Sequence, residues 1–289
     1  MYAVIGANGQ VGYEFARALS SSQALFLTHK QIEVTDVASV QASLGRVSCS
    51  AVINLAAFHD VNACEANPER AFRVNATGAA NIATIATSIG SRVVYFSTDY
   101  VFGQDSDRRS PYAESDSTGP LNVYGRSKAT GEQLVRAACA NHLIIRTSSI
   151  FGAVTSRKGW TFPEMVLRRA RAGEPLRIVN DQVMSPTYGP DLVRCVIQLI
   201  DAGITGTVHV SNAGACTWYD FASSALRMAG LECEVEPVSS DAFPSLARRP
   251  AYSVLVSERV PACNIAPMRH WREALEAYLI ESAILSKRR

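Results

Sequence analysis

Five short apolar runs, at residues 2–5, 24–27, 51–55, 92–96 and 143–146, alternate with stretches of helical periodicity at 10–20, 36–44, 68–89 and 123–140. Strands that are apolar throughout are buried on both faces. Helices between them make the strands parallel, through right-handed crossovers. The chain is therefore expected to be an α/β protein with a doubly wound parallel sheet. In such sheets ligands bind just beyond the carboxyl ends of the strands. Gly6, Ala56, Thr98 and Thr147 all fall just past those ends, so one crevice would gather them.

The first strand–helix junction is the run GANGQVG at residues 6–12. A strand, a glycine turn and a helix in that order make a Rossmann-type site for a dinucleotide pyrophosphate. Gly6 permits the sharp turn, Gly9 lets the backbone approach the phosphates, and Gly12 lets helix and strand pack closely. NAD-binding chains usually end the second strand with a carboxylate for the ribose hydroxyls. Here that strand runs into Thr28-His29-Lys30, with no acid before Glu33. A hydroxyl, an imidazole and an ammonium suit a 2′-phosphate better. NADP(H) is the expected cofactor, with NAD(H) the alternative if this loop is only solvated.

Tyr124-Gly-Arg-Ser-Lys128 sets a phenol and an ammonium four residues apart, on one face of a helix. A solvated helix face would show the same pair. Its position carries more weight, because it follows the apolar strand that runs straight into Ser97-Thr98-Asp99-Tyr100.

At these residues the chain resembles the short-chain dehydrogenase/reductases, and more narrowly the dTDP-4-dehydrorhamnose reductase branch of their extended group. The resemblance runs through GANGQVG, NLAAFHDVNACEANPERAFRVNATGAANIA (54–83), FSTDYVFG (96–103), PLNVYGRSKATGE (120–132), IIRTSSIFG (144–152), GEPLRIVNDQVMSPTYGPDL (173–192) and RRPAYSVL (248–255). These come in the family's order and span most of the chain.

The resemblance implies NADPH-dependent reduction of a nucleotide-linked 4-keto-6-deoxy sugar, dTDP-4-dehydro-L-rhamnose to dTDP-L-rhamnose. It leaves two alternatives. One is a 4-ketoreductase for another deoxyhexose. The other is a non-catalytic NADP-binding regulatory subunit similar to that of methionine adenosyltransferase. The catalytic residues it implies are Tyr124, Lys128 and Thr98. Tyr124 would deliver the proton to the developing alkoxide, and Thr98 would hydrogen-bond the carbonyl oxygen. A free phenol has a pKa near ~10, so a nearby Lys128 ammonium and the cofactor's positive nicotinamide are expected to lower it toward working pH. Lys128 would also hold the ribose hydroxyls.

The implied cofactor residues are Gly6, Asn8, Gly9, Gln10, Val11 and Gly12 in the turn, with His29 and Lys30 after the second strand. Asp36 and Val37 would lie at the adenine, and Ala56, Ala57 and Phe58 along the cofactor, ending at Tyr124 and Lys128. The sugar would meet Thr98, Asp99, Tyr100, Tyr124 and Ser149. Asp99 is equally readable as a turn or cap residue. Asn75 reads either as part of a proton relay or as a buried side chain holding two helices by backbone hydrogen bonds. At Ser149 the chain departs from the family, which commonly has tryptophan there to pack on the sugar. Trp160 is a substitute platform or, alternatively, a core residue at a helix start. Arg168, Arg169 and Arg171 read as diphosphate contacts or as an exposed basic face. Some of these reductases resemble the chain at Glu14 and dimerise around magnesium; one matching glutamate does not make a metal site, and none is expected.

Composition limits the rest. A hydrophobic content of 47% with 19% charged residues over 289 residues describes a globular protein. A formal charge of +2 gives no reason to expect nucleic acid or a membrane surface as a partner. The seven cysteines form no C-x-x-C pair, and the histidines form no close ligand pair. Reduced thiols and a strand that begins at Tyr2 point to a cytoplasmic enzyme with a nucleotide-sugar substrate, with a homodimer left open. Residues 1–152 are expected to form the dinucleotide-binding domain. Residues 153–289 would be mainly a smaller substrate-binding lobe, with segments near 180–212 returning to the main sheet. Its helices are expected at 161–172, 190–202 and 218–228, its strands at 176–179 and 207–210, and a solvated tail at 287–289.

Overall fold

The computed structural model describes residues 1–152, 160–282 and 284. The chain runs β1 (Tyr2–Ile5), α1 (Gln10–Ala18), β2 (Ala24–Leu27), α2 (Val37–Leu44), β3 (Ala51–Asn54), α3 (Val61–Ala66) and α4 (Pro68–Phe72). A π turn (Arg73–Thr77) leads into α5 (Gly78–Ser88) and β4 (Arg92–Thr98). A short 3-10 turn (Asp99–Val101) precedes α6 (Val123–Ala138) and β5 (His142–Thr147). Then follow β6 (Ile150–Phe151), α7 (Phe162–Arg171), β7 (Leu176–Val179), β8 (Val183–Met184), β9 (Thr187–Tyr188), α8 (Gly189–Asp201) and β10 (Gly206–His209). The last elements are β11 (Cys216–Thr217), α9 (Trp218–Met228), β12 (Val235–Val238), α10 (Arg259–Ala262) and α11 (Trp271–Glu281).

Six parallel strands form the main sheet in the order β10-β5-β4-β3-β1-β2. The winding reverses at β1, which pairs with β2 on one side and β3 on the other. Successive side chains along a strand point to opposite faces, and both faces here are apolar. Val4, Ile53, Val94 and Phe96 pack with Phe15 of α1 and Leu192, Val196 and Leu199 of α8. Ala3, Val52, Val93 and Tyr95 pack with Val40 of α2, Ile82 of α5 and Val135 of α6. This is the doubly wound α/β architecture.

A second core gathers Phe151, Leu167 of α7, Ile178 of β7, Phe221 of α9, and Trp271, Leu275 and Tyr278 of α11. Within it β7 pairs with β12, β8 with β11, and β6 with β9. Segment 189–209 returns to the main body, where α8 covers one face and β10 extends the sheet beside β5.

The elements differ from the sequence pattern at specific places. The stretch at 68–89 is not one helix: α4 ends at Phe72, the π turn intervenes, and α5 resumes at Gly78. Strands β4 and β5 run on to Thr98 and Thr147, which pair with each other. These two threonines are thus the last residues of their strands rather than the first beyond them. The pattern does not include α3, β12 or α11. In β12, Pro237 cannot donate to a ladder, which fits an edge strand. The tail at 287–289 lies outside the described residues.

Candidate active site

Gly6, at φ +82°, turns the chain out of β1. Gly12 packs straight back onto that turn: a Cβ there would lie 2.5 Å from the Gly6 carbonyl oxygen and 2.6 Å from Ala7 Cα. Helix α1 begins at Gly9 without a capping side chain. Its first N–H groups are left for an anion, at the positive end of the helix. Asn8 and Gly9 are exposed, and Val11 and Gln10 are half-buried. The Gln10 amide donates to the Ile150 carbonyl at 3.4 Å.

Beyond β2, His29 and Lys30 are exposed. Glu33 accepts from the Thr35 N–H at 2.9 Å and its hydroxyl at 2.8 Å, and lies 3.6 Å from His29. The Thr35 backbone bond is the main reason its carboxyl is held below its ordinary value. Asp36 caps α2 by accepting from the Ala38 N–H at 2.9 Å. Val37, next to it, is 55% exposed, an uncovered apolar face on this rim.

Ala56, Ala57 and Phe58 follow β3 and are half-buried. Asn75, on the π turn, is fully buried and clamps this segment. Its Oδ1 accepts from the Phe58 N–H at 2.8 Å, while its Nδ2 donates to the Phe58 carbonyl at 3.0 Å and to Ser127 Oγ at 2.9 Å. Its bonds thus go to the Phe58 backbone of the loop after β3 and to the Ser127 side chain of α6, rather than to the backbones of two helices. π turns commonly mark functional positions in helices, and this one aims Asn75 at the crevice loop.

Thr98 ends β4 and Asp99 follows it. The Thr98 hydroxyl donates to Asp99 Oδ1 at 3.0 Å and accepts from the Tyr100 N–H at 3.1 Å. Asp99 is 3% exposed, and its Oδ2 accepts from Ser148 at 2.8 Å and Ser253 at 2.6 Å. Burial raises its pKa, and the three hydroxyls oppose that rise. The Thr147 hydroxyl, beside Thr98 in register, is buried without a hydrogen-bonding partner among the described residues.

Asn122 caps α6 through the Gly125 N–H at 2.8 Å, which sets the register that brings Tyr124 and Lys128 to the crevice side. Tyr124 sits edge-on to Tyr100, with ring centroids 6.1 Å apart, in an apolar cluster with Phe58 and Phe72. Burial pushes its phenol well above the ordinary value, and Thr98, close by, pulls it back somewhat. The expected lowering by Lys128 is not what this geometry produces. The Lys128 ammonium lies instead over the ring of Tyr95, 4.0 Å from its centroid. Lys128 is 2% exposed, and burial brings its pKa down to about 7, with Glu132 opposing.

Ser149 lies half-buried after β5 at φ +44°, one of two non-glycine residues with positive φ among those described. Its carbonyl accepts from the Thr187 N–H at 3.2 Å. Trp160 is not in the core: it is 39% exposed, with the Arg168 guanidinium 4.2 Å over its ring. Arg169 pairs with Glu174 at 2.8 Å, and Arg171 is exposed. Glu14 is 3% exposed and pairs with Arg17 at 3.2 Å. Among the described residues no cluster of three His, Cys, Asp or Glu could hold a metal ion. Nor is any helix among them long and apolar enough to cross a membrane.

The main sheet and its helices thus present an uncapped helix start on a glycine turn, an exposed apolar side chain at Val37 and an ammonium that is buried with no hydrogen-bonding partner among the described residues. They fit an extended anionic dinucleotide.

The chain is similar along nearly its full length to proteins of known name. It is 40% identical over 280 residues to the spore coat polysaccharide biosynthesis protein SpsK of Bacillus subtilis, covering 96% of each chain. It is 38% identical over 277 residues to a dTDP-4-dehydrorhamnose reductase of Mycolicibacterium smegmatis, covering 94% of this chain and 83% of that one. Its fold superposes with TM-score 0.92 on the Bacillus anthracis dTDP-4-dehydrorhamnose reductase solved in complex with NADP, at 33% identity and covering 97% and 98% of the two chains. Residues 2–284 match the RmlD substrate binding domain, and the chain belongs to that family.

Proposed function

We propose that this protein is an NADPH-dependent reductase of a nucleotide-linked 4-keto-6-deoxy sugar, with dTDP-4-dehydro-L-rhamnose as substrate and dTDP-L-rhamnose as product. The observation that supports this reading is the Thr98 hydroxyl close to the buried Tyr124 phenol at the carboxyl end of β4, in a chain whose first helix starts uncapped on a glycine turn. Residues 1–152 would bind the dinucleotide. The lobe built on α7, α9 and α11 would bind the sugar nucleotide.

The turn at 6–12 would hold the pyrophosphate, with His29 and Lys30 at the 2′-phosphate, Asp36 and Val37 at the adenine, and residues 56–58 along the cofactor. When bound, the reduced nicotinamide would supply the hydride. Thr98 would orient the sugar carbonyl oxygen by turning its O–H from Asp99 Oδ1 to that oxygen, while still accepting from the Tyr100 N–H. Burial keeps the Tyr124 phenol protonated at neutral pH, the form a general acid needs. As charge develops on the carbonyl oxygen, the phenol O–H bond breaks and its proton passes to that oxygen. Lys128 would hold the ribose hydroxyls of the cofactor.

Ser149 favours keeping a second sugar in view, since it leaves the pocket wall without an indole. Tyr124→Phe tests the chemistry. Folding and NADPH binding should survive while turnover falls by two or more orders of magnitude, roughly the scale of general acid catalysis. Near-wild-type turnover with an accepted keto sugar would remove Tyr124 from the acid role.

A further inference from the structure

We infer that Tyr95 is a positioning residue for the Lys128 ammonium, its ring forming the seat from which that ammonium reaches the crevice. The inference rests on the reading of Lys128 as part of the catalytic group. Lys128 is buried, yet among the described residues no hydrogen bond holds its Nζ. The nearest carboxylate along the helix is Glu132, one turn on, and it is already saturated. Glu132 accepts from Arg146 at 2.9 and 2.8 Å, from Arg136 at 2.9 Å and from Ser97 at 2.6 Å. What remains for the ammonium is the negative face of Tyr95, 4.0 Å away.

Tyr95 is itself locked. It is fully buried, and its hydroxyl donates to the Asn75 carbonyl on the π turn at 2.8 Å. Gly131 of α6 makes room for that contact: a Cβ there would lie 2.3 Å from both the Asn75 oxygen and Tyr95 Oη. The same Asn75 clamps Phe58 and Ser127 with its side chain. One residue therefore sets the crevice loop, the helix carrying Lys128 and the ring beneath its ammonium.

Other charges around α6 do not take this place. Glu69, Arg70 and Arg73 on α4 and the π turn are exposed, and α5 carries no titratable group. Glu65 of α3 is bound to the Val123 N–H at 2.7 Å, and Asp99 is bound to three hydroxyls. Arg146 on β5 is spent on Glu132, and His142 lies at the far end of that strand. Tyr124 and Tyr100 are neutral phenols, and Cys64 is a buried thiol whose pKa is raised by burial.

The test replaces position 95 by phenylalanine, by progressively fluorinated phenylalanines and by leucine, with Lys128→Met as reference. Fluorination weakens the negative face of the ring at nearly constant shape, so it keeps the test open if the leucine variant fails to fold. The ring stabilises the charged ammonium, so weakening it lets the proton leave at lower pH. With the ring intact in Tyr95→Phe, the basic limb of the pH–rate profile should stay in place. Across the fluorinated series the limb should move down by ~0.5–1 unit, and KM for NADPH should rise roughly tenfold. A limb and KM that do not change with fluorination, while Lys128→Met abolishes activity, would overturn the role of Tyr95 alone. Wild-type turnover and NADPH binding in Lys128→Met would overturn the reading of Lys128, and this inference with it.

Discussion

The Ser253 hydroxyl donates to Asp99 Oδ2 at 2.6 Å, tying the segment before α10 to the carboxyl end of β4. That bond fastens the stretch 250–255 across the crevice. Nearby, Asn122 Nδ2 donates to the Arg248 carbonyl at 2.8 Å, and the Ser253 N–H donates to the Val183 carbonyl at 2.9 Å. Asp99 therefore acts on the site through what it holds: Thr98 on one oxygen, Ser148 and Ser253 on the other.

Ser253→Ala should destabilise the fold by about 1–3 kcal/mol, the cost of taking a donor from a buried acceptor. Burial raises the Asp99 pKa in the folded state. Its contribution to stability is thus present below its unfolded value and is lost as pH rises through the folded value. Above that value the carboxylate needs its donors most, so Ser253→Ala should cost more at pH 8 than at pH 4. Urea denaturation at both pH values checks this, and equal costs would mean that the bond does not depend on charge.

His209 gives a pH dependence of opposite sign. It is fully buried, its Nδ1 lies 3.1 and 3.0 Å from the Tyr112 and Val256 carbonyls, and its Nε2 lies 3.4 Å from Arg146. The ring is therefore neutral, with Nδ1 carrying the proton. Burial chiefly, and Arg146 besides, lower its pKa to about 4. A lowered value means stability that is complete above the unfolded value near ~6.5 and is lost as pH falls through the folded one, about 3 kcal/mol by pH 4. His209→Gln should be less stable at pH 7 yet lose less on acidification. Parallel losses in variant and wild type would place the acid sensitivity elsewhere.

Cofactor preference should be set at the end of β2. His29 and Lys30 are exposed there, and the first acid after them, Glu33, is engaged by Thr35. NADPH should give the higher kcat/KM, and Lys30→Ala should narrow its lead over NADH. A wild-type preference for NADH would show that the loop faces solvent and reads no phosphate.

The sheet was legible because β1, β3 and β4 are apolar on both faces, and continuous runs are hard to produce any other way. Tyr124 and Lys128 were legible because a four-residue spacing survives any uncertainty in helix ends. The π turn was not, because one extra residue per turn leaves the apolar pattern of 68–89 almost unchanged. Tyr95 was hidden for a related reason: in a buried strand its ring counts as one more core side chain. The raised pKa of Tyr124 was not legible because spacing along α6 does not say that the phenol is buried. Ser253 lies 154 positions from Asp99, and nothing local to either residue records the contact.

Ser149 is the residue at which we propose that the sugar pocket departs from the family pattern. Its backbone is already in the left-handed region at φ +44°, so replacing serine by another residue with a Cβ adds no new backbone strain. The change is confined to the side chain. An indole at this wall would offer a face for the apolar side of a sugar, and burying an aromatic ring is a large contribution per residue. Ser149→Trp should therefore tighten binding of dTDP-4-dehydro-L-rhamnose if that is the native substrate. If the native sugar carries a bulkier group there, the indole should block it and raise its KM. Steady-state kinetics on both sugars distinguish the two outcomes. Unchanged kinetics on each would mean that residue 149 does not line the pocket, and the case for a second sugar would lose its only structural support.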